Sequence, residues 1–167
     1  MICLSAPARR TIEQEARRSA DGRETGGILL GHDASDDHPL RVTVAGGPGP
    51  RAKRSALRFL RDLDHARRLA DEAYERDGSV WVGEWHTHPK GPSRPSRRDL
   101  HTYRQLLSEV ELGFERFAAI IVTIDGDRYQ SELHGWTFRI APDARGQLLL
   151  AMTDISSEAL LAKDEPG

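Results

Sequence analysis

The sequence has little cysteine, no asparagine and no long apolar run. A single cysteine, Cys3, among 167 residues excludes an internal disulfide framework and a cysteine-rich zinc finger, and we expect it to lie in a frayed terminus. The lack of asparagine excludes N-glycosylation and any catalytic triad that contains asparagine. No stretch approaches the roughly 20 apolar residues of a membrane helix. The start is too short for the apolar part of a signal peptide, so we expect a cytoplasmic protein with no membrane contact.

A strong charge of one sign is also missing. The 24 basic and 26 acidic side chains give a formal charge of −2, which argues against a dedicated nucleic-acid-binding domain because such domains are strongly basic. Apolar residues make up 38% and charged residues 30% of the chain, a mixture that excludes collagen, coiled coil and complete disorder. A chain of this length is long enough for one domain to enclose a core.

Apolar spacing predicts an α/β protein. Helical spacing is found over 8–20, 63–76 and 100–110, and short apolar or alternating runs predict strands over 26–31, 40–44, 57–60, 80–85, 118–124 and 136–140. Helices placed among hairpin-like strands favour a single domain with a mixed sheet flanked by helices, in two or three layers. We place this domain at residues 1–142. Residues 143–167 are expected to be a partly loose C-terminal extension, because they have only a weak apolar cluster and an acidic, polar end.

The segment 83–100 carries the strongest chemical signal. His86 and His88 are two residues apart, so both imidazoles face one side if the preceding strand continues through them. After a loop rich in proline and glycine, Ser96 and Asp99 have the Ser-x-x-Asp spacing of a helix N-cap. Two imidazoles and a carboxylate would leave a fourth position for water on a zinc ion, which is the catalytic type of zinc site.

Hydrolysis at such a site also needs a base for the proton of the water. Glu24 lies just before the apolar strand that starts at Gly26, where a neighbouring strand could present it to the metal. Glu84 shares a strand face with His86 and could instead orient an imidazole by accepting a hydrogen bond from the ring nitrogen that does not bind the metal. These considerations leave both carboxylates open as the base.

Taken together, these residues resemble the JAMM motif of the MPN/JAB-domain metallopeptidases. Glu24 precedes an apolar, glycine-rich run, and His-x-His, seven residues, Ser, two residues and Asp are matched by His86, His88, Ser96 and Asp99. The neighbouring letters EWHTHP are similar to bacterial members, and the resemblance covers about residues 8–140. It implies an MPN/JAB-like, cytidine-deaminase-like fold. It also implies that both histidines and Asp99 bind Zn²⁺, that Glu24 activates water, and that Ser96 hydrogen-bonds the developing oxyanion or steadies the site.

The resemblance implies a zinc-dependent isopeptidase or peptidase that cleaves after the Gly-Gly tail of a ubiquitin-like protein. Compact bacterial members of the family often accompany ubiquitin-activating-like enzymes, including those of antiviral CBASS operons, so E1- or E2-like enzymes are the expected partners. Other bacterial relatives trim sulfur-carrier precursors or act in phage tail assembly. A non-catalytic scaffold that binds a protein partner is the alternative. A nucleic-acid-associated protein is a weaker one, suggested by the arginine-rich segments.

An extended Gly-Gly tail is thin enough to add to a strand edge beside a metal. We expect the glycine-rich stretch beside Glu24 and the loop 89–95 to form the walls of that groove. Positive charge beside the site would steer an acidic protein partner; it comes from Lys90, Arg94, Arg97 and Arg98.

Overall fold

A seven-stranded sheet with helices on both faces is the main feature of the computed structural model, which describes residues 1–33, 39–125, 130–155 and 160. The strands, in chain order, are β1 (Ile2–Leu4), β2 (Gly26–His32), β3 (Leu40–Ala45), β4 (Lys53–Ser55), β5 (Arg58–Leu60), β6 (Val80–His88), β7 (Phe117–Asp125), β8 (Gln130–Pro142) and β9 (Leu148–Ile155). The helices are α1 (Ala6–Arg18), α2 (Leu63–Asp77) and α3 (Arg97–Ser108), and a short 3₁₀ turn, Val110–Leu112, follows. None of the helices in the described part of the chain is long and apolar enough to cross a membrane.

The sheet is mixed, as the sequence predicts. Its strand order is β1-β3-β2-β6-β7-β8-β9, with parallel pairing in β1–β3 and β6–β7 and antiparallel pairing elsewhere. Strands β4 and β5 form a separate two-stranded hairpin. β6 therefore lies in the middle of the sheet, between β2 and β7.

The two faces of the sheet are covered by different helices. α1 packs on one face, where its buried Ile12 and Ala16 join a core that includes Trp85 of β6. On the other face, Ala73 of α2 packs on β2, and Tyr103 of α3 packs on β7 and β8. The prediction of a layered α/β domain is confirmed, with three layers. Because side chains alternate along a strand, burial of Trp85 against α1 turns the residues on either side of it toward α2 and α3.

Three parts of the structure differ from the sequence-based expectation. β6 extends to His88, beyond the predicted 80–85, because β2 pairs with it as far as His86 and β7 as far as His88. The expectation of a frayed N-terminus is wrong, since Ile2–Leu4 pairs with β3 and buries two apolar side chains. β9 lies in the predicted C-terminal extension, yet pairs with β8 and carries the sheet past residue 142. Residues 156–159 and 161–167 lie outside the described part, and the division of the chain at 142 stays a prediction.

A close approach of two backbones fixes how β2 sits beside the loop after β3. A Cβ added to Gly27 would lie 1.9 Å from the carbonyl oxygen of Gly46. That same oxygen accepts a 2.8 Å hydrogen bond from the indole N–H of the fully buried Trp85. A side chain at residue 27 would therefore disturb the packing of the strand that carries both histidines.

We predict that Gly27→Ala lowers the free energy of unfolding by about 1–3 kcal/mol, because the added methyl overpacks a filled site. Gly47→Ala is the matched control, since its Cβ would meet only Glu15 at an ordinary 3.8 Å. Urea denaturation of the two variants and the parent measures the difference. Equal free energies of unfolding for all three proteins would contradict this prediction, because they would show that the backbone near Gly46 can move to accept the added methyl without loss of stability.

Candidate metal centre

β6 brings the two histidines of the sequence motif together. His86 pairs with Gly26 of β2 and Ile121 of β7, so the backbone on both sides of the strand is fixed. Both imidazoles are buried on the same face, and their Nε2 atoms are 3.0 Å apart. The strand continuation on which the predicted histidine pair depends is therefore present.

The start of α3 supplies the third group. Ser96 caps the helix: its hydroxyl accepts a 3.2 Å hydrogen bond from the backbone N–H of Asp99, and the Ser96 N–H donates to Asp99 Oδ2 at 2.6 Å. This reciprocal pair is the capping box that the spacing predicts. It holds the Asp99 carboxylate at the first turn, pointing back toward the end of β6.

Three ligand atoms of the right chemistry converge at this point. Asp99 Oδ2 lies 3.6 Å from His86 Nε2 and 3.5 Å from His88 Nε2. Tetrahedral zinc with ligand bonds of about 2.0–2.1 Å places neighbouring ligand atoms about 3.3 Å apart. The three atoms therefore match the spacing of a zinc site, and they form a group that could hold a metal ion.

The loop after β6 orients one of the imidazoles. His88 Nδ1 lies 2.8 Å from the carbonyl oxygen of Pro92, which can only accept, so Nδ1 carries the proton of that hydrogen bond. In the neutral ring the lone pair is then on Nε2, facing His86 and Asp99. Such a backbone partner is typical of a histidine that binds a metal. Lone pairs and a carboxylate oxygen directed at one point repel each other unless a cation lies between them.

Glu24 reaches the same centre from the residues before β2. Its backbone is anchored to the hairpin, since its N–H donates to Ser55 O at 2.8 Å and its carbonyl accepts from Arg54 Nε at 3.0 Å. Its side chain is half-buried and lines the same cavities as His86, His88 and Ser96. The structure thus brings together all five residues of the sequence-based site.

Glu84, the other candidate base, lies behind the histidines. Its carboxylate forms an ion pair with Arg61, whose guanidinium lies over the Trp81 ring, 5.5 Å from the centroid. The nearer Glu84 oxygen is 3.9 Å from His86 Nδ1, which is too long for a hydrogen bond. Arg61 has no motif that could have revealed it in the sequence, because its partner is 23 residues away and the pair forms only in the fold.

The electrostatics separate the two carboxylates that face the centre. Burial opposes ionisation of Asp99, but its interactions with the nearby imidazoles of His86 and His88 outweigh that effect and hold the pKa of Asp99 well below its usual value. Burial raises the pKa of Glu24, against the opposing effect of the two histidines. Burial lowers the pKa of His88, but Asp99 and the Pro92 carbonyl more than compensate, so its pKa is raised overall. Asp99 is thereby a fixed anion, and Glu24 is the readier proton acceptor.

Two cavities meet at the centre. The larger, of about 580 Å³, runs between the β4–β5 hairpin and the start of α3, and we call it the hairpin groove. The smaller, of about 400 Å³, lies beside the loop after His88 and includes Lys90, Arg97 and Arg98 in its lining. Glu24 and Ser96 line both, so a chain lying through the two cavities would pass the candidate ligands.

One expectation about this groove is wrong. The glycine-rich residues 26–31 do not line either cavity. β6 pairs with them along one side, and β3 pairs with Leu29 to His32 along the other. The loop 89–95 does line the smaller cavity, through Pro89 to Pro92. The other wall is the β4–β5 hairpin, of which only the second strand is predicted from the sequence.

Comparison with known proteins agrees with this geometry. Residues 5–140 match the family described as prokaryotic homologs of the JAB domain. A protein of Enterobacter hormaechei named CD-NTase/cGAS isopeptidase is 29% identical over 125 residues, which is 70% of this chain and 64% of that protein. A protein of Vibrio cholerae with the same name is 34% identical over 84 residues, or 49% of this chain and 53% of that protein. The matched part thus spans less than two thirds of either relative.

Two solved structures share the fold. A Desulfitobacterium hafniense protein determined in solution has a TM-score of 0.60 at 22% identity, covering 93% of this chain and 90% of that one. A Salinibacter ruber protein has a TM-score of 0.51 at 26% identity, covering 99% and 94%. The family match extends over most of the sequence, including every residue of the candidate centre. The chain therefore belongs to the family of prokaryotic JAB-domain proteins.

Proposed function

We propose that this protein is a zinc-dependent isopeptidase or peptidase that cleaves a protein conjugate after an extended C-terminal tail. The observation that carries the proposal is the convergence of His86, His88 and Asp99 at one point of an open groove, with Glu24 beside them. The names of the two relatives support a conjugated nucleotidyltransferase of the CD-NTase class as the substrate. A ubiquitin-like tail is the other substrate of this chemistry, and E1- or E2-like enzymes would supply either conjugate in antiviral defence.

The ligand set defines what the metal would do. His86, His88 and Asp99 would hold Zn²⁺, which as a Lewis acid polarises a carbonyl and lowers the pKa of water to about 7. The Pro92 carbonyl keeps the His88 ring in the orientation that leaves its Nε2 lone pair available. The capping box does the same for Asp99, because rotation of its carboxylate would break the hydrogen bond to the Ser96 N–H.

Glu24 is the residue that moves protons. Its carboxylate lines both cavities, so it can take a proton from the attacking water and deliver it to the leaving nitrogen on the other side of the scissile bond. Partial burial raises its pKa and makes the carboxylate a better base than an exposed glutamate. Glu84 is less suited to this step, because Arg61 occupies its carboxylate.

Ser96 is placed to bind the oxygen of the scissile carbonyl. Its Oγ accepts a hydrogen bond from the Asp99 N–H, which leaves its own hydroxyl proton available as a donor. The side chain lines both cavities next to Glu24. A donor at this position would stabilise the charge that develops on the carbonyl oxygen during attack.

We predict that Glu24→Gln loses about 10²–10⁴-fold in kcat/KM while zinc stays bound, because the amide cannot accept the proton. The assay is cleavage of a reporter fused behind a Gly-Gly tail, with zinc content measured on the same preparations. Glu72→Gln, an exposed position on α2, is the control and should match the parent. A zinc-loaded Glu24→Gln protein that cleaves at the parental rate would contradict the role of the base. A protein with one zinc per chain and no turnover of any conjugate would favour a binding scaffold.

We predict that chelation abolishes cleavage and lowers the melting temperature, and that zinc restores both. At free zinc of about 100 times Kd, binding adds about 2.7 kcal/mol to the free energy of unfolding, or about 5–10 °C for a chain of this size. His88→Ala should lose the zinc-dependent shift, whereas His101→Ala, an exposed histidine of α3, should keep it. If zinc raised the melting temperature of both variants equally, the metal would be bound at another site.

A further inference from the structure

We propose that the hairpin groove selects an extended tail that carries acidic side chains among apolar ones. This inference specifies the substrate of the site and so rests on the proposed function. The hairpin groove is the larger of the two cavities and ends at the candidate ligands, so it can hold several residues of a tail. One wall of this groove is the β4–β5 hairpin, and its chemistry decides what can lie against it.

One face of the hairpin directs two cations into the groove. In the β4–β5 pairing, Lys53 lies opposite Leu60 and Ser55 lies opposite Arg58. Alternation along the strands puts these four side chains on the same face of the hairpin. Lys53 and Arg58 are both exposed and both line the groove. Within the described part of the chain, neither has an acidic side chain at ion-pair distance.

Other cations of the groove already have partners inside the protein. Arg51 pairs with Asp62 and Asp64 at the start of α2, and Arg61 pairs with Glu84. Arg98, on the α3 side, donates to the carbonyl of Leu57 at 2.8 Å. Its charge also acts on Glu24, but among the described residues no carboxylate lies within ion-pair distance of it. The groove thus has positive charge on both sides, available to a ligand.

Apolar side chains lie between these charges. Leu57, Leu60 and Leu63 line the groove with exposed fractions of 80%, 43% and 62%. Leucines this exposed gain from being covered, and the cations beside them gain from a nearby carboxylate. A tail that carries both acidic and apolar side chains satisfies both requirements.

The test measures binding separately from cleavage. Two fluorescein-labelled peptides, Glu-Leu-Glu-Leu-Glu-Leu-Gly-Gly and the same peptide with lysine in place of glutamate, are titrated onto the zinc-loaded Glu24→Gln protein by fluorescence anisotropy. We expect the glutamate peptide to bind about tenfold more tightly at low salt, with the difference shrinking as salt is added. The double variant Lys53→Glu/Arg58→Glu should reverse the preference.

Arg67→Glu/Arg68→Glu provides the matched control, because it makes the same change in net charge at exposed positions of α2 outside the groove. This control should retain the preference of the parent, and thermal melts confirm that each variant folds. Equal affinity for the two peptides, or an equal reversal in the control variant, would overturn the inference. Charge selection without cleavage of any conjugate would uphold the groove and reject the proposed function. Cleavage of a conjugate without any preference between the two peptides would support the proposed function and overturn the inference about the groove.

Discussion

The alternation of side chains along β6 is the constraint on which the rest of the structure depends. Trp85 is fully buried on the α1 side and bonded through its indole N–H to Gly46, so the strand cannot shift by one residue without exposing it. The same alternation directs His86 and His88 to the opposite face, where α3 begins. A packing requirement on one side of the sheet thereby sets the position of the chemistry on the other, and pairing with β2 and β7 makes that position rigid.

The centre itself concentrates groups that would repel each other without a cation. Two buried imidazole nitrogens 3.0 Å apart and a carboxylate oxygen within 3.6 Å of both are held by contacts outside the triangle. The Pro92 carbonyl fixes one ring, and the Ser96 capping box fixes the carboxylate. A metal site benefits from side chains that are ordered before the metal binds. The entropy lost in ordering them is then part of the folding of the protein and does not weaken metal binding. Glu24, anchored through its backbone to the hairpin, lies beside that fixed set in the position that we propose for the proton carrier.

Local patterns in the sequence predict most of this centre, and tertiary pairing decides the rest. The Ser-x-x-Asp helix start follows from capping rules within a few residues. The histidine spacing predicts a shared face only if the strand continues past the predicted 80–85, and pairing with β2 and β7 provides that continuation. The choice of Glu24 over Glu84 follows from the family resemblance alone, since it depends on Arg61 neutralising Glu84 across the fold. The hairpin strand β4 and the N-terminal strand β1 are three residues each and depend on partners distant in sequence, which no local pattern reveals. β9 is predicted only as a weak apolar cluster, because its edge position leaves much of its apolar surface exposed.

The groove walled by a small charged hairpin, rather than by the glycine-rich β2, would give this domain a way to select substrates while its centre stays unchanged. The proposed activity depends on a metal bound at the end of β6. The most direct test is anomalous diffraction at the zinc absorption edge from crystals grown with zinc. We predict one strong peak between the Nε2 atoms of His86 and His88 and the carboxylate of Asp99. An empty triangle with the three side chains turned apart, and zinc bound elsewhere or not at all, would contradict the account.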